Sequence, residues 1–328
     1  MAADPADTAV AQLSADELLA AARFEHRIGP CQVFSQRFEL RTTDAGLAAL
    51  LRELYEATLL EPTGDGRTDG PVGPRADTPR GQPVTVYRLL PPSGQQPGVV
   101  ARDDEALVTS SRPATLLGRL VWAINRQVID GTTDRLLFHA AAAEVEGVGV
   151  LLPADMEAGK TTLVAGLLDR GAGYLTDEAA AVTCPDLTLT GFAKPLSVDR
   201  GSWEVLSHHR PDPGSDQAAY LATQWQLSAA RVGRVVRQVP LGVIVFRRFE
   251  AGAPTRLERL GPADAVQRAV TCTFVTDSEH LPLVRLRELA GIVERVPVYE
   301  LVGGDLAAAC DAVLGVVAEL PGAEDRTR

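Results

Sequence analysis

The chain has 328 residues, 45% of them hydrophobic and 23% charged, which is enough apolar material for one large domain or two ordinary ones and excludes a disordered chain. A formal net charge of −11 argues against nonspecific nucleic-acid binding, which needs a positive field to displace counterions from phosphate. Cys31, Cys184, Cys272 and Cys310 are far apart and form no CxxC pair, so neither a cysteine zinc site nor a disulfide framework is expected.

The opening stretch "MAADPADTAV" is acidic and lacks the basic and apolar regions of a secretory signal. The run "AAAAEVEGVGVLL" carries two glutamates and is too short to span a bilayer. The expected compartment is a reducing cytoplasm, with no membrane partner.

In chain order, Ser14 with Glu17 three places on predicts a short capped helix over 14–27. "QVFSQRFELRT" alternates as a strand, and Asp44 opens an amphipathic helix in "DAGLAALLRELYEATLL". Residues 61–83 are dense in Gly, Pro, Asp and Arg and predict an exposed, mobile loop. "VTVYRLL" and "GVVARDDEALVTS" resume the strand pattern. Leu116, Leu117, Leu120, Val121 and Ile124 then recur at helical spacing over 113–130.

From Arg135 the pattern changes. "RLLFHAAAAEV" and "GVGVLLP" predict a hairpin with Gly147 near its turn. A helix begins near Gly159, and strands follow in "GYLTDEAAAV" and "LTLTGFAKPLSV". "HHRPDPGSDQ" reads as a loop, and "PLGVIVFRRF" as a buried strand. Arg231, Arg234 and Arg237 would form one basic stripe if they lay on a helix. Helices are expected over 262–272, 282–294 and 304–319, with "VPVYEL" as a strand between the last two. There is no internal repeat. The fold class is α/β with a mixed sheet: a smaller α+β region over 1–131, a P-loop-bearing domain over 132–320, and a tail over 321–328.

The chemistry concentrates in "LLPADMEAGKTTLVAGLLDRG". An apolar strand, a six-residue turn, Gly-Lys-Thr and a helix arrive in the order a phosphate-binding loop needs. There, backbone N–H groups wrap the phosphates, the helix N-terminus adds positive charge, a lysine bridges, and a hydroxyl holds magnesium. The nucleotide-binding candidates are Ala154, Asp155, Met156, Glu157, Ala158, Gly159, Lys160, Thr161 and Thr162. Alanine at 154 suits such a loop where its φ is negative. The carboxylates of Asp155 and Glu157 must point outward to avoid repelling phosphate. The plain alternative is a Gly-Lys-Thr that starts a helix by chance.

Downstream, Asp177 and Glu178 close a strand at the sheet edge where ligands of α/β folds bind, against the alternative of a solvated turn. His139 lies one strand upstream, where a satisfied core histidine is the plain reading. Lys194, Arg247 and Arg248 are possible substrate or phosphate contacts. His208 and His209 read equally as substrate contacts or as loop residues.

Together, "FHAAAAEVEGVGVLLPADMEAGKTTLVAGLLDRGAGYLTDEAAAV" resembles the catalytic domain of HPr kinase/phosphorylase and its kinase-like relatives, distantly related in fold to phosphoenolpyruvate carboxykinase. The likeness covers roughly residues 135–310. It implies ATP and Mg2+ as cofactors, Lys160 on the β/γ-phosphates, and a metal site of Thr161, Asp177 and Glu178. It implies Asp177 as base for an acceptor hydroxyl, with Glu178, Lys160 and His139 completing the catalytic set. The acceptor would be a serine of a peptide or protein, or a small-molecule alcohol, and a homo-oligomer is possible.

Three departures accompany this. Ala154, Met156 and Glu157 replace Gly, Ser and Gly of the family loop, and the acidic pair is Asp-Glu rather than Asp-Asp. The glycine-rich signature of the phosphorylase activity is not found. The alternative function is a nucleotide-binding regulatory or scaffold protein with a degenerate loop.

Overall fold

The structure, a computed structural model, describes residues 13–60, 83–154, 158–274 and 283–321. Asp155, Met156 and Glu157, nearly all of the expected loop at 61–83, and the tail beyond 321 lie outside the described residues.

The first half pairs helices with an antiparallel-rich sheet. Ser14 caps α1 (Ala15–Ala21) in a capping box with Glu17. Strands β1 (His26–Val33) and β2 (Gln36–Thr42) form a hairpin. The single strand expected in "QVFSQRFELRT" is therefore two, because Phe34 adopts a positive φ of 50° and reverses the chain. Helix α2 (Ala45–Tyr55) is opened by Asp44, whose side chain accepts from the Leu47 N–H. Strands β3 (Thr85–Leu90), β4 (Gly98–Arg102) and β5 (Glu105–Ser110) complete the sheet in the order β1-β2-β3-β4-β5, and α3 (Pro113–Asp130) packs on it. The apolar stripes do the work: Leu47, Leu51 and Leu54 of α2 and Leu117, Leu120 and Ile124 of α3 are buried with Ile28, Phe38 and Tyr87.

The second sheet begins after α3. Strands β6 (Leu136–Val145) and β7 (Val148–Pro153) form the predicted hairpin, with Val145 opposite Val148. Its two turn residues, Glu146 and Gly147, both have positive φ, 51° and 80°, the pattern of a type I′ turn that suits strand twist. Helix α4 (Lys160–Leu168) follows, then β8 (Gly173–Thr176) and β9 (Ala179–Thr183), both antiparallel to β6. "GYLTDEAAAV" is thus broken at Asp177-Glu178, where ladder pairing lapses and resumes at Ala179 opposite His139.

The chain then runs through β10 (Thr188–Gly191), β11 (Leu196–Val198), β12 (Trp225–Leu227), α5 (Ala229–Val232) and β13 (Arg234–Val235). "LTLTGFAKPLSV" is two strands, because Phe192 turns away into the first-half core and Lys194 into the site described below. The expected arginine stripe does not form. Helix α5 stops at Val232, Gly233 is extended, and Arg234 is on a strand, paired with Glu144.

Strand β14 (Gln238–Phe249) is the axis of this half, parallel to β7 on one side and to β16 (Val298–Gly303) on the other. β15 (Arg256–Arg259), α6 (Pro262–Thr271), α7 (Leu283–Arg295) and α8 (Leu306–Ala318) complete the elements. Alternation along the strands sends residues to opposite faces. Ala141, Val150, Val243 and Val245 pack with Leu163 and Leu167 of α4 and Val313 and Val317 of α8. Ala142, Leu151, Ile244 and Phe246 face Ala269 of α6 and Leu289 and Ile292 of α7. The sheet is therefore mixed and covered by helices on both faces, an α/β arrangement. Among the described residues, no helix is long and apolar enough to cross a membrane.

Candidate functional site

β7 delivers the chain from the sheet to Ala154, and Gly159 stands at the head of the next described element, α4. Ala154 is not among the residues with positive φ, so alanine sits there without left-handed strain. Gly159 is the N-cap of α4 and takes φ 82°, ψ 21°, a conformation that costs about 1–2 kcal/mol for a residue with a Cβ. The first turn of α4 starts directly from this glycine, and its leading N–H groups and dipole create a local positive end.

Lys160, at the first position of α4, is only 7% exposed. Its ammonium donates to the Ala154 carbonyl at 2.8 Å, so the side chain folds back toward the end of β7. Thr161 turns toward the sheet and its hydroxyl donates to Asp177 Oδ2 at 3.2 Å. The Thr162 hydroxyl meets the Ser202 hydroxyl at 2.5 Å. The structure thus brings Lys160, Thr161 and Asp177 together around the start of one helix.

Asp177 is buried and held from every side. Lys194 Nζ lies 2.6 Å from Oδ1, with neither side chain more than 2% exposed. Tyr174 places its hydroxyl 3.0 Å from Oδ1, and the Ser197 backbone N–H donates to Oδ2 at 3.2 Å. Burial, reinforced by the charge of Asp177, holds the Tyr174 hydroxyl well above 10, so it stays protonated and acts as a donor. A carboxylate offers about four acceptor positions, and Thr161, Ser197, Tyr174 and Lys194 address all of them.

This arrangement bears on two of the expected roles. Asp177 is enclosed by these four groups, so an acceptor hydroxyl or a metal ion would have to displace one of them, Thr161 being the one at the helix start, to reach its carboxylate. Lys194 does not reach outward to substrate: its ammonium is enclosed, donating also to the Pro195 carbonyl at 2.9 Å and the Ser197 hydroxyl at 3.3 Å.

Glu178, next along, is half-buried. Burial is the largest influence and raises its carboxyl above 4.5, against the lowering pull of the Lys194 and Lys160 ammoniums; Asp177 adds to the rise. His139 Nε2 is 3.9 Å from Glu178 Oε1, and its ring packs against Phe274 with centroids 5.6 Å apart. His139 and Glu178 therefore form a second, more open pair beside the buried Asp177–Lys194 pair.

The two arginines closing β14 are held by other partners, with the Arg247 guanidinium also 5.8 Å from the centroid of the Phe249 ring. Arg247 is 7% exposed and uses its guanidinium on backbone, donating to the Gly303 carbonyl at 2.6 Å and the Arg248 carbonyl at 3.2 Å. It ties β14 to the end of β16. Arg248 is more exposed and sits 3.5 Å from Glu300, a carboxyl held below 4.5 chiefly by its hydrogen bond from Arg268. Phe249, the next residue, is 51% exposed, and a Cβ at Gly159 would stand 3.8 Å from its own Cβ.

Tyr174, Ser197 and Phe249 were not legible as site residues. Ser197 contributes a backbone N–H, which no side-chain pattern signals. Tyr174 reaches Asp177 only because the strand breaks after Thr176. The lysine in the apolar run "GFAKPLSV" was the available clue, since a buried lysine demands a carboxylate.

Magnesium fits one part of this set. Thr161 Oγ1 and Asp177 Oδ2 are hard oxygen donors 3.2 Å apart at the helix start, and Mg2+ is usually held by one or two carboxylates with the rest of its shell left to water and phosphate. A recess of about 430 Å³ between Val145, Gly171 and Leu314 lies at the opposite end of α4 and contains none of these groups.

No protein-family model matches the chain, and no curated protein sequence matches it. Among solved structures it is similar to one described as the HPr(Ser) kinase/phosphatase from Coxiella burnetii, at 13% identity with a TM-score of 0.27, over 55% of this chain and 93% of that one. The likeness is distant and of fold alone. The chemistry of this chain has to rest on its own side chains.

Proposed function

We propose that the chain is a phosphotransferase that uses ATP to phosphorylate an alcohol, either a serine of a peptide or protein or a small-molecule hydroxyl. The observation that carries this reading is the Thr161–Asp177 contact of 3.2 Å beside the Lys160 ammonium at the start of α4. The Lys160 ammonium, on the Ala154 carbonyl, and the Thr161 hydroxyl, on Asp177, both belong to the first turn of α4, and an ammonium and a hydroxyl at a helix N-terminus are groups that polyphosphate binding needs.

Lys160 would leave the Ala154 carbonyl for the phosphate oxygens, a stronger charge-assisted bond. Thr161 and Asp177 would hold magnesium, which supplies charge neutralisation on those oxygens. Lys194 fixes the Asp177 carboxylate beside the start of α4. Phe249 offers its exposed ring to the base of the nucleotide.

We assign the base role to Glu178 rather than Asp177. Its carboxyl is raised toward the working pH by burial, and it is more accessible. The acceptor O–H gives its proton to Glu178 as the acceptor oxygen bonds to phosphorus, and the bond from phosphorus to the diphosphate leaving group breaks. His139, 3.9 Å away, positions Glu178.

A second reading is favoured by the complete satisfaction of Asp177: a regulator that binds nucleotide and does not turn it over. ADP release measured with ATP, Mg2+ and a panel of hydroxyl acceptors separates the two. Acceptor-dependent turnover that disappears in Glu178→Gln supports the transferase, and binding without turnover on the whole panel supports the regulator.

A further inference from the structure

At the far end of α4 from Lys160, three metal-ligating side chains converge. Asp169 is the C-cap of α4. His208 Nε2 lies 2.9 Å from its Oδ2 and His209 Nε2 lies 2.8 Å from its Oδ1. The three ligand atoms are all within 4.8 Å of one another, and the two imidazole centroids are 4.1 Å apart. We propose that Asp169, His208 and His209 form a binding site for a zinc-class divalent cation that fastens the segment 200–209 along α4.

The ligand chemistry selects the class of ion. Two imidazoles and one carboxylate suit zinc and its borderline neighbours, whereas magnesium prefers an all-oxygen set. Zinc bonds run about 2.0–2.2 Å to nitrogen and carboxylate oxygen, so small side-chain shifts close three ligands around one ion, with water completing a tetrahedron. Each imidazole already faces its own oxygen of one carboxylate, so a single centre can serve all three. The position adds to this, because a helix C-terminus carries partial negative charge that favours a cation. Asp169 and His208 are exposed and His209 half-buried, so the ion has an entry path.

The consequence follows from where the segment runs. Its Ser202 hydroxyl meets Thr162 in the first turn of α4, and its His208 and His209 meet Asp169 at the last. Thr162 and Asp169 are about 10 Å apart along the helix axis at 1.5 Å per residue. The segment therefore lies parallel to α4, tied at both ends, and the cation would make the second tie. This proposal stands apart from the phosphotransferase reading, since none of its ligands touches Lys160, Thr161 or Asp177 in the contacts described.

The test uses the full chain stripped of metal with a chelator. Calorimetric titration with zinc chloride should show one equivalent bound, cobalt should give the visible absorption of a tetrahedral nitrogen–oxygen site, and magnesium should give no heat. His208→Ala/His209→Ala and, separately, Asp169→Asn should each weaken zinc by at least about tenfold, the scale at which even outer-shell partners act. Zinc should raise the melting temperature of the wild type and not of the double variant. If the double variant fails to fold, the conservative Asp169→Asn with the cobalt spectrum decides. No binding up to about 100 μM zinc, a weak affinity on any scale, would overturn the proposal. So would binding that these substitutions leave unchanged, because the ion would then sit elsewhere.

Discussion

Lys194 and Asp177 form an ion pair 2.6 Å long inside the protein, with the lysine side chain fully enclosed. Such a pair contributes little net stability when intact, yet removing one partner leaves an uncompensated buried charge that costs about 3–5 kcal/mol. Lys194→Met should therefore destabilise the chain by that amount in urea unfolding. Lys194→Met combined with Asp177→Asn should recover most of it, because no lone charge remains. A single substitution costing under about 1 kcal/mol, the scale of an exposed pair, would show that water reaches the site.

Glu178 gives a pH dependence of known sign. Its carboxyl is raised above 4.5 in the folded chain, chiefly by burial, so the native state holds its proton more tightly than the unfolded state. Between 4.5 and the folded value the native state binds more protons, and stability falls as pH rises through that window. Glu178→Gln should remove this slope: relative to wild type it gains stability at neutral pH and gains none below the window. Thermal melts across pH read this directly, and an unchanged slope in the variant would assign the effect to another group.

Phe249 should contribute to the nucleoside and not to the phosphates. Stacking of a base on an aromatic ring is worth about 1–3 kcal/mol by alanine substitution, so Phe249→Ala should weaken ATP by about tenfold or more. Inorganic triphosphate should bind the variant and the wild type alike. Equal weakening of both ligands would mean that the ring shapes the loop instead of holding the base.

Arg247 should behave as a structural residue. Removing its guanidinium leaves the Gly303 carbonyl with only the longer bond from the Glu250 N–H at 3.3 Å, and the lost charge-assisted bond is worth about 1.5–3 kcal/mol. Arg247→Met should lower the urea midpoint accordingly while leaving ATP affinity within about twofold of wild type, a difference far below one charged hydrogen bond. Loss of ATP binding in a well-folded variant would return this arginine to the phosphate site.

Most elements were legible because their signals are local. The Ser14–Glu17 pair marks a helix start, Asp44 caps another, and Glu146-Gly147 turns a hairpin. What was not legible depends on tertiary demand. Phe34 carries a left-handed φ with no glycine to announce it, and Asp177-Glu178 interrupts a strand that reads as continuous. The order strand, turn, Gly159, Lys160, Thr161 was plain in the sequence, as was the placement of acidic residues at a strand end. The partner of Asp177 was not, since Lys194 is 17 positions away and is brought to it by a chain segment that leaves the sheet after Gly191.

The claim on which the account depends is that the start of α4 holds polyphosphate. Calorimetric titration of the full chain with ATP and Mg2+, beside Lys160→Met, tests it most directly. The account predicts saturable binding of one equivalent, weakened about 10–100-fold in the variant, as the loss of a charged hydrogen bond of about 1.5–3 kcal/mol requires. No binding by the wild type, or equal affinity in a folded Lys160→Met, would contradict it.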